Sequence, residues 1–177
     1  MPGRPACGTA PPMNADLQSD AHLSIPVDGL MWSWRALSGA QLEPLLPFVL
    51  AADPSGADAL CWKRDAFAWL DVRPTARGII SVQCLAGFTL ALFFYAVQQA
   101  QGRRLAIERL RWLELARPHR SLDALLAIIA EQARHLTCDE VVIAGGAVTE
   151  RNARDALAER AETAGFVVDQ GNWRRPL

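Results

Sequence analysis

Lysine is almost missing from this chain: Lys63 is the only one, and the other cationic side chains are arginines. Basic and acidic residues nearly balance, 18 against 19, so the net charge of −1 exerts no global pull toward nucleic acid or an anionic membrane. The four cysteines, Cys7, Cys61, Cys84 and Cys138, stand far apart. No pair has metal-ligand spacing and none suggests a disulfide framework, so they read as scattered thiols of a reducing, cytoplasmic compartment. There is no P-loop, no Ser/His/Asp set and no metal cluster. Tyrosine is reduced to Tyr95. The first residues lack the apolar run of a secretion signal.

What is present suits one globular domain. Apolar residues make up 51% of the 177, enough for a core of its own. Residues 1–30 are expected to form a disordered leader, because through Pro26 they are rich in Pro, Gly, Ala, Ser and Asp. Met13 and Met31 are alternative starts, and the folded domain is expected over 31–177. Gly78 to Val97 comes close to the ~20 apolar residues of a membrane-spanning helix. Ser81, Gln83, Gly87 and Thr89 interrupt it, and its β-branched and aromatic residues suit strands. Leu85-Ala86-Gly87 can turn the chain, so the run reads as a hairpin of two buried strands, Ile79–Cys84 and Phe88–Val97.

Other elements carry their own signals. Trp32–Leu37 reads as a first strand. Ser38 and Gln41 make a capping box, with Leu37 placed to pack on Leu42. Leu42, Leu45, Leu46 and Val49 give that helix an apolar stripe, and Pro44 and Pro47 should bend or shorten it. Asp53–Gly56 is a turn, and Ala57–Leu70 a second helix. Arg104–Ala116 is a strand whose phase changes. Leu105 and Ile107 have one parity, Leu110 and Trp112 the other. Strand side chains alternate at every residue, so the flip predicts a β-bulge near Glu108 and Arg109. Ser121–Leu136 is the strongest helix, with Leu122, Leu125, Leu126, Ile129, Ala133 and Leu136 on one face. Ser121 is its expected N-cap, and Asp123 suits the positive end. Glu140–Ile143 is a short strand. Thr149 caps a helix to Ala164, Gly165 ends it, and Phe166–Val168 begins a final strand.

This order, with Trp34–Leu46 at the start, the Arg104–Ile143 unit, and Asn152 ahead of Ala164-Gly165-Phe166, resembles the GNAT superfamily of N-acetyltransferases over about Trp32 to Leu177. The resemblance implies an α/β (α+β) domain: a GNAT-like mixed, mostly antiparallel central sheet flanked by helices. It implies an acyl-CoA-dependent N-acyltransferase-like activity. Acetyl-CoA or another acyl-CoA would be the cofactor, and a small-molecule or protein amine the acceptor. A homodimer is compatible with it; nucleic acid, membrane and metal are not implied. In that family the cofactor pyrophosphate lies on the N-terminus of the helix after the fourth strand, where free N–H groups and the helix dipole stabilise an anion. Carried onto this chain, that puts Leu115, Arg117, Arg120, Ser121, Leu122, Asp123, Ala124 and Leu125 at the cofactor. Glu108 becomes the candidate general base, with Glu114 second.

The family's loop reads Gln or Arg, two residues, Gly, one residue, Gly or Ala. Arg120 matches the first position. Asp123 and Leu125 stand where small residues would let phosphate approach the backbone. At about 4 Å and an effective dielectric of ~20, one repulsive charge pair is worth about 4 kcal/mol, which opposes phosphate unless Arg117 and Arg120 offset it. Ala161 occupies the place of a tyrosine that commonly protonates the leaving thiolate, and Tyr95 is a poor substitute in a core strand. Asn152 resembles the family's asparagine at a slightly long distance from Gly165. Glu108 also reads as a surface carboxylate paired with Arg109 or Arg111. Arg103, Arg104, Arg109, Arg111, Arg117 and Arg120 read as a solvated strand edge or as a receiver for the CoA 3′-phosphate. His119 reads as an exposed histidine or an acid–base group. The alternative function is a non-catalytic GNAT-like binding or assembly domain that has lost CoA binding.

Overall fold

The computed structural model describes residues 23–51, 59–71, 77–84, 89–99, 102–113, 118–148 and 151–177. Its strands are β1 (Leu23–Val27), β2 (Leu30–Ala36), β3 (Arg77–Cys84), β4 (Thr89–Gln99), β5 (Arg103–Trp112), β6 (Glu140–Ile143), β7 (Val167–Asp169) and β8 (Asn172–Pro176). Helices α1 (Gly39–Leu42), α2 (Leu46–Ala51) and α3 (Ala59–Asp71) lie between β2 and β3. Helix α4 (Pro118–His135) joins β5 to β6, and α5 (Arg151–Thr163) joins β6 to β7. One eight-stranded sheet results, in the order β1-β2-β3-β4-β5-β6-β8-β7. Among the described strands, only β5 and β6 run parallel.

Alternation along the strands builds two cores, one on each face. Trp32, Trp34, Ile80, Val82, Phe93, Tyr95, Leu105, Ile107 and Leu110 pack with the buried side of α4 and with Leu157 and Ala161 of α5. Leu37, Leu42, Leu46, Ala66, Ile79, Leu92 and Phe94 form the second core, beneath α1–α3. The six residues expected on the apolar face of α4 are all buried. Across the first core, Trp34 Nε1–H donates to Gln132 Oε1 at 2.8 Å.

The expected hairpin is β3–β4; its tip, residues 85–88, lies outside the described residues. The capping box is formed, with the Ser38 N–H donating to Gln41 Oε1 at 2.9 Å. A 3-10 turn over Glu43–Leu45, carrying Pro44, splits α1 from α2, as the prolines required. The leader boundary needs correction. Leu23–Val27, assigned to the leader, pairs with β2 from Leu23↔Trp34 to Val27↔Leu30. Asp28 and Gly29 turn the hairpin at positive φ, 49° and 75°. Pro26 closes the proline-rich stretch assigned to the leader, but β1 is an edge strand, where a missing N–H is tolerated. Residues 1–22 lie outside the described residues. The C-terminus holds a further strand that was not read. β8 inserts between β6 and β7 through a turn at Gln170 and Gly171. Asn172-Trp-Arg-Arg-Pro176 carries a single apolar side chain, too little for a periodic signal.

Candidate functional site

The expected bulge is present. Tyr95 pairs with Ile107 and Phe94 with Arg109, which leaves Glu108 as an extra residue on β5. The parallel ladder with β6 ends at the same place, at Ile107↔Ile143. Beyond it β5 continues to Trp112 while β6 turns away. Ala144 N–H still donates to the Ile107 carbonyl at 3.0 Å, and Ala147 N–H then closes a tight turn onto the Ala144 carbonyl at 2.8 Å. A gap beyond the carboxyl ends of two diverging parallel strands is the usual crevice for a ligand in such sheets.

The Ala144–Ala147 turn borders this gap and is firmly held. Gly145 N–H donates to Asn172 Oδ1 at 3.0 Å, and the Arg154 guanidinium donates twice to the Val148 carbonyl, at 3.3 and 2.9 Å. A Cβ on Gly145 would sit 2.1 Å from the Gly171 carbonyl oxygen, so only glycine fits. The Ala147 carbonyl accepts the Leu110 N–H at 2.8 Å. That amide, the one β5 directs into the gap just past the bulge, is thus occupied by the chain itself. Sequence reasoning missed this contact, because it joins two backbone atoms. The Gly145-Gly146 pair after β6 was its only trace.

Glu108 is half-buried and lies on the α1–α3 face. Its carboxylate accepts a long hydrogen bond, 3.4 Å, from Gln98 Nε2. It is not paired with either arginine proposed for it. Arg109 reaches Asp65 on α3 at 3.7 Å and lies over the Phe94 ring. Glu114 lies outside the described residues.

The helix end expected to face phosphate differs from expectation in register. Helix α4 starts at Pro118, one turn before the expected cap Ser121. Proline suits the first helical position because its missing N–H would have had no intrahelical partner anyway. The helix amides free of such partners are therefore those of His119 and Arg120, and the amides of Ser121 to Ala124 belong to the helix ladder. Ser121 is buried, and its Oγ accepts the Trp112 indole N–H at 3.1 Å. Leu122, Ala124 and Leu125 are core side chains, each 1% exposed or less. Asp123 faces α5, with Oδ2 3.5 Å from Arg160 Nη1. Its charge has a partner there, which lessens the repulsion expected at the phosphates. Leu115 and Arg117 lie outside the described residues, as do the side chains of His119, Arg120 and Asn152. Tyr95 lies within the first core, away from the gap, and burial pushes its phenol above the ordinary range. Among the described residues no three His, Cys, Asp or Glu side chains come together to hold a metal, and no helix is long and apolar enough to cross a membrane.

No protein-family model matches the chain, and no curated protein matches it in sequence. Solved structures do match in shape. A GNAT-family acetyltransferase from Listeria monocytogenes superposes with a TM-score of 0.57 at 11% identity, covering 88% of this chain and 100% of that one. A ribosomal L7/L12 alpha-N-protein acetyltransferase in complex with coenzyme A gives 0.61 at 14%, covering 88% and 98%. An aminoglycoside 6′-N-acetyltransferase from Acinetobacter baumannii gives 0.54 at 13%, covering 77% and 91%. The chain therefore has the GNAT fold. Identities this low carry the fold alone.

Proposed function

We propose that the protein is an acyl-CoA-dependent N-acyltransferase acting on an amine. The observation that carries this reading is that the parallel β5–β6 ladder ends at the Glu108 bulge, on the fold that the solved acetyltransferases share. Helix α4 begins just after β5, and its His119 and Arg120 amides, which have no intrahelical partner, suit a pyrophosphate without an unpaired acid among the described residues beside them. Acyl-CoA, when bound, supplies an activated thioester carbonyl. Glu108 would take the proton that the amine nitrogen must lose as its bond to the acyl carbon forms and the C–S bond breaks. Ala161 has no proton to give, so the departing thiolate would be protonated from water. The Leu110–Ala147 hydrogen bond has to open before an acyl chain can lie along β5, which makes the Ala144–Ala147 turn the moving part.

That same hydrogen bond favours the second reading, a GNAT-like domain whose gap is closed and which binds or assembles without catalysis. Calorimetry with acetyl-CoA separates the two. Wild type should bind, and Glu108→Gln should bind equally well while turnover drops by about 10²–10⁴-fold. Absence of binding at millimolar acetyl-CoA would leave the non-catalytic domain as the better account.

A further inference from the structure

We propose that the amine acceptor carries a carboxylate, recognised by Arg35 on the sheet face opposite α4, with Arg111 adding positive field; this rests on the acyl-transfer reading above. Trp32 and Trp34 of β2 point into the core beneath α4, so Arg35 points to the other face. The ladder puts Arg35 opposite Ser81, Ser81 opposite Leu92, and Leu92 opposite Arg111. These four residues make one row across β2–β5. The row crosses β5 beyond the bulge, at the end of the strand where the gap opens. The two arginines are three strand spacings apart, about 14 Å at the backbone.

The neighbouring row, Leu37–Ile79–Phe94, is apolar and buried under α1–α3. This row is polar. Ser81 is fully buried, with Oγ 3.3 Å from Thr89 Oγ1, and Ser33 and Gln83 are half-buried in the row beyond. Arg35 Nε is shut off from solvent and has no hydrogen-bond partner. An unsatisfied buried guanidinium nitrogen is costly and calls for a partner. None of the described acids of this face pairs with Arg35: Asp65 is held by Arg64 and Arg109, Glu43 by Lys63 and Glu108 by Gln98, and Asp71 at the end of α3 is exposed. Arg111 makes contacts of its own and contributes charge. An arginine fork matches a carboxylate with two parallel hydrogen bonds. The cofactor phosphates do not supply this anion, because α4 packs on the opposite face of the sheet.

The test uses the full chain and three probes: β-alanine, β-alaninamide and inorganic phosphate, each titrated with and without acetyl-CoA. The first two differ only in the carboxylate. Wild type should prefer β-alanine by about 10- to 100-fold, the range expected for a charge-assisted hydrogen bond. Arg35→Gln should abolish the preference and Arg35→Lys should keep part of it, with circular dichroism confirming that both variants fold. If acetyl-CoA binds but the two amines bind alike, or the preference survives in Arg35→Gln, the proposal falls and the acyl-transfer reading stands. Phosphate binding as tightly as β-alanine with the same Arg35 dependence would overturn the carboxylate assignment. Arg35-dependent β-alanine binding with no acetyl-CoA binding would overturn the acceptor role together with the acyl-transfer reading.

Discussion

Deleting Glu108 should leave the fold standing while abolishing acyl-CoA binding. Ile107 pairs with Tyr95 and Arg109 with Phe94, so removing the residue between them joins two positions that already alternate correctly. Leu105, Ile107 and Leu110 would stay on the core face, and Arg109 and Arg111 on the other. The direct loss is the 3.4 Å Gln98–Glu108 hydrogen bond, worth at most about 1 kcal/mol. The Leu110–Ala147 bond would shift with the shortened strand, at a cost of about 1 kcal/mol more. A loss of about 2 kcal/mol lowers Tm by roughly 4–8 °C in a chain of this size. Deleting Ala106 is the contrasting control. It places Leu105 and Ile107, both 0% exposed, on successive and opposite-facing positions. One must leave its core at about 1.5–3 kcal/mol, and Glu108 is driven toward the apolar face at further cost. That variant should be unfolded or more than about 4 kcal/mol less stable. Urea denaturation ranks the three proteins, and calorimetry with acetyl-CoA reads the gap, with Glu108→Gln as the binding-competent reference. If the Glu108 deletion unfolds like the Ala106 deletion, Glu108 is not an insertion into a regular ladder. If it folds and binds acetyl-CoA as wild type does, the bulge is not what opens the gap.

Two further outcomes follow from the cores. Gln132→Leu strands the indole N–H of Trp34, 2% exposed, and should cost about 1–3 kcal/mol by urea denaturation; adding Trp34→Phe should recover part of it, and a neutral Gln132→Leu would show that this bond does not fix α4 on the sheet. Burial pushes the Tyr95 phenol and the Cys138 thiol upward, so the unfolded chain releases these protons first as pH rises. Their contribution is complete below the unfolded values of about 8.5–10 and is lost as pH climbs toward the folded ones. Tyr95→Phe with Cys138→Ala should flatten the alkaline loss of Tm above pH ~9, and an unchanged slope would assign that loss to other groups.

Much of the fold is written in side-chain parity, and parity is what a single sequence displays. The flip between Ile107 and Leu110 located the bulge to Glu108 and Arg109, and the stripe from Leu122 to Leu136 located α4. Misreadings came where local chemistry and tertiary context disagree. Ser121 looks like a cap, but Pro118 starts the helix a turn earlier and Ser121 is covered by Trp112. Pro26 looks like a boundary, yet an edge strand accepts it. Arg35 sits between apolar neighbours and gives no signal until the ladder sets it level with Ser81 and Arg111.

The candidate site was less legible for a different reason. Its decisive atoms are main-chain ones: the amides of His119 and Arg120, which have no intrahelical partner, and the Leu110 N–H held by the Ala147 carbonyl. Every residue type but proline carries the same N–H, so substituting Leu110 by any of them would leave that bond in place, and no residue pattern encodes whether it is open or closed. The glycine-poor loop therefore argues less against cofactor binding than it suggests. Asp123 and Leu125 were charged with blocking phosphate, but one is paired with Arg160 and the other is core. What an acyl chain must overcome instead is one backbone hydrogen bond, about 0.5–1.5 kcal/mol net, against a turn anchored by Asn172 and Arg154. A cofactor bound at micromolar concentration gains about 8 kcal/mol, enough to open it. The closed gap is thus compatible with an enzyme whose turn moves on binding, and loosening the anchor decides the matter: Arg154→Ala should tighten acetyl-CoA binding if the turn is a gate, and leave it unchanged if the gap is permanently filled.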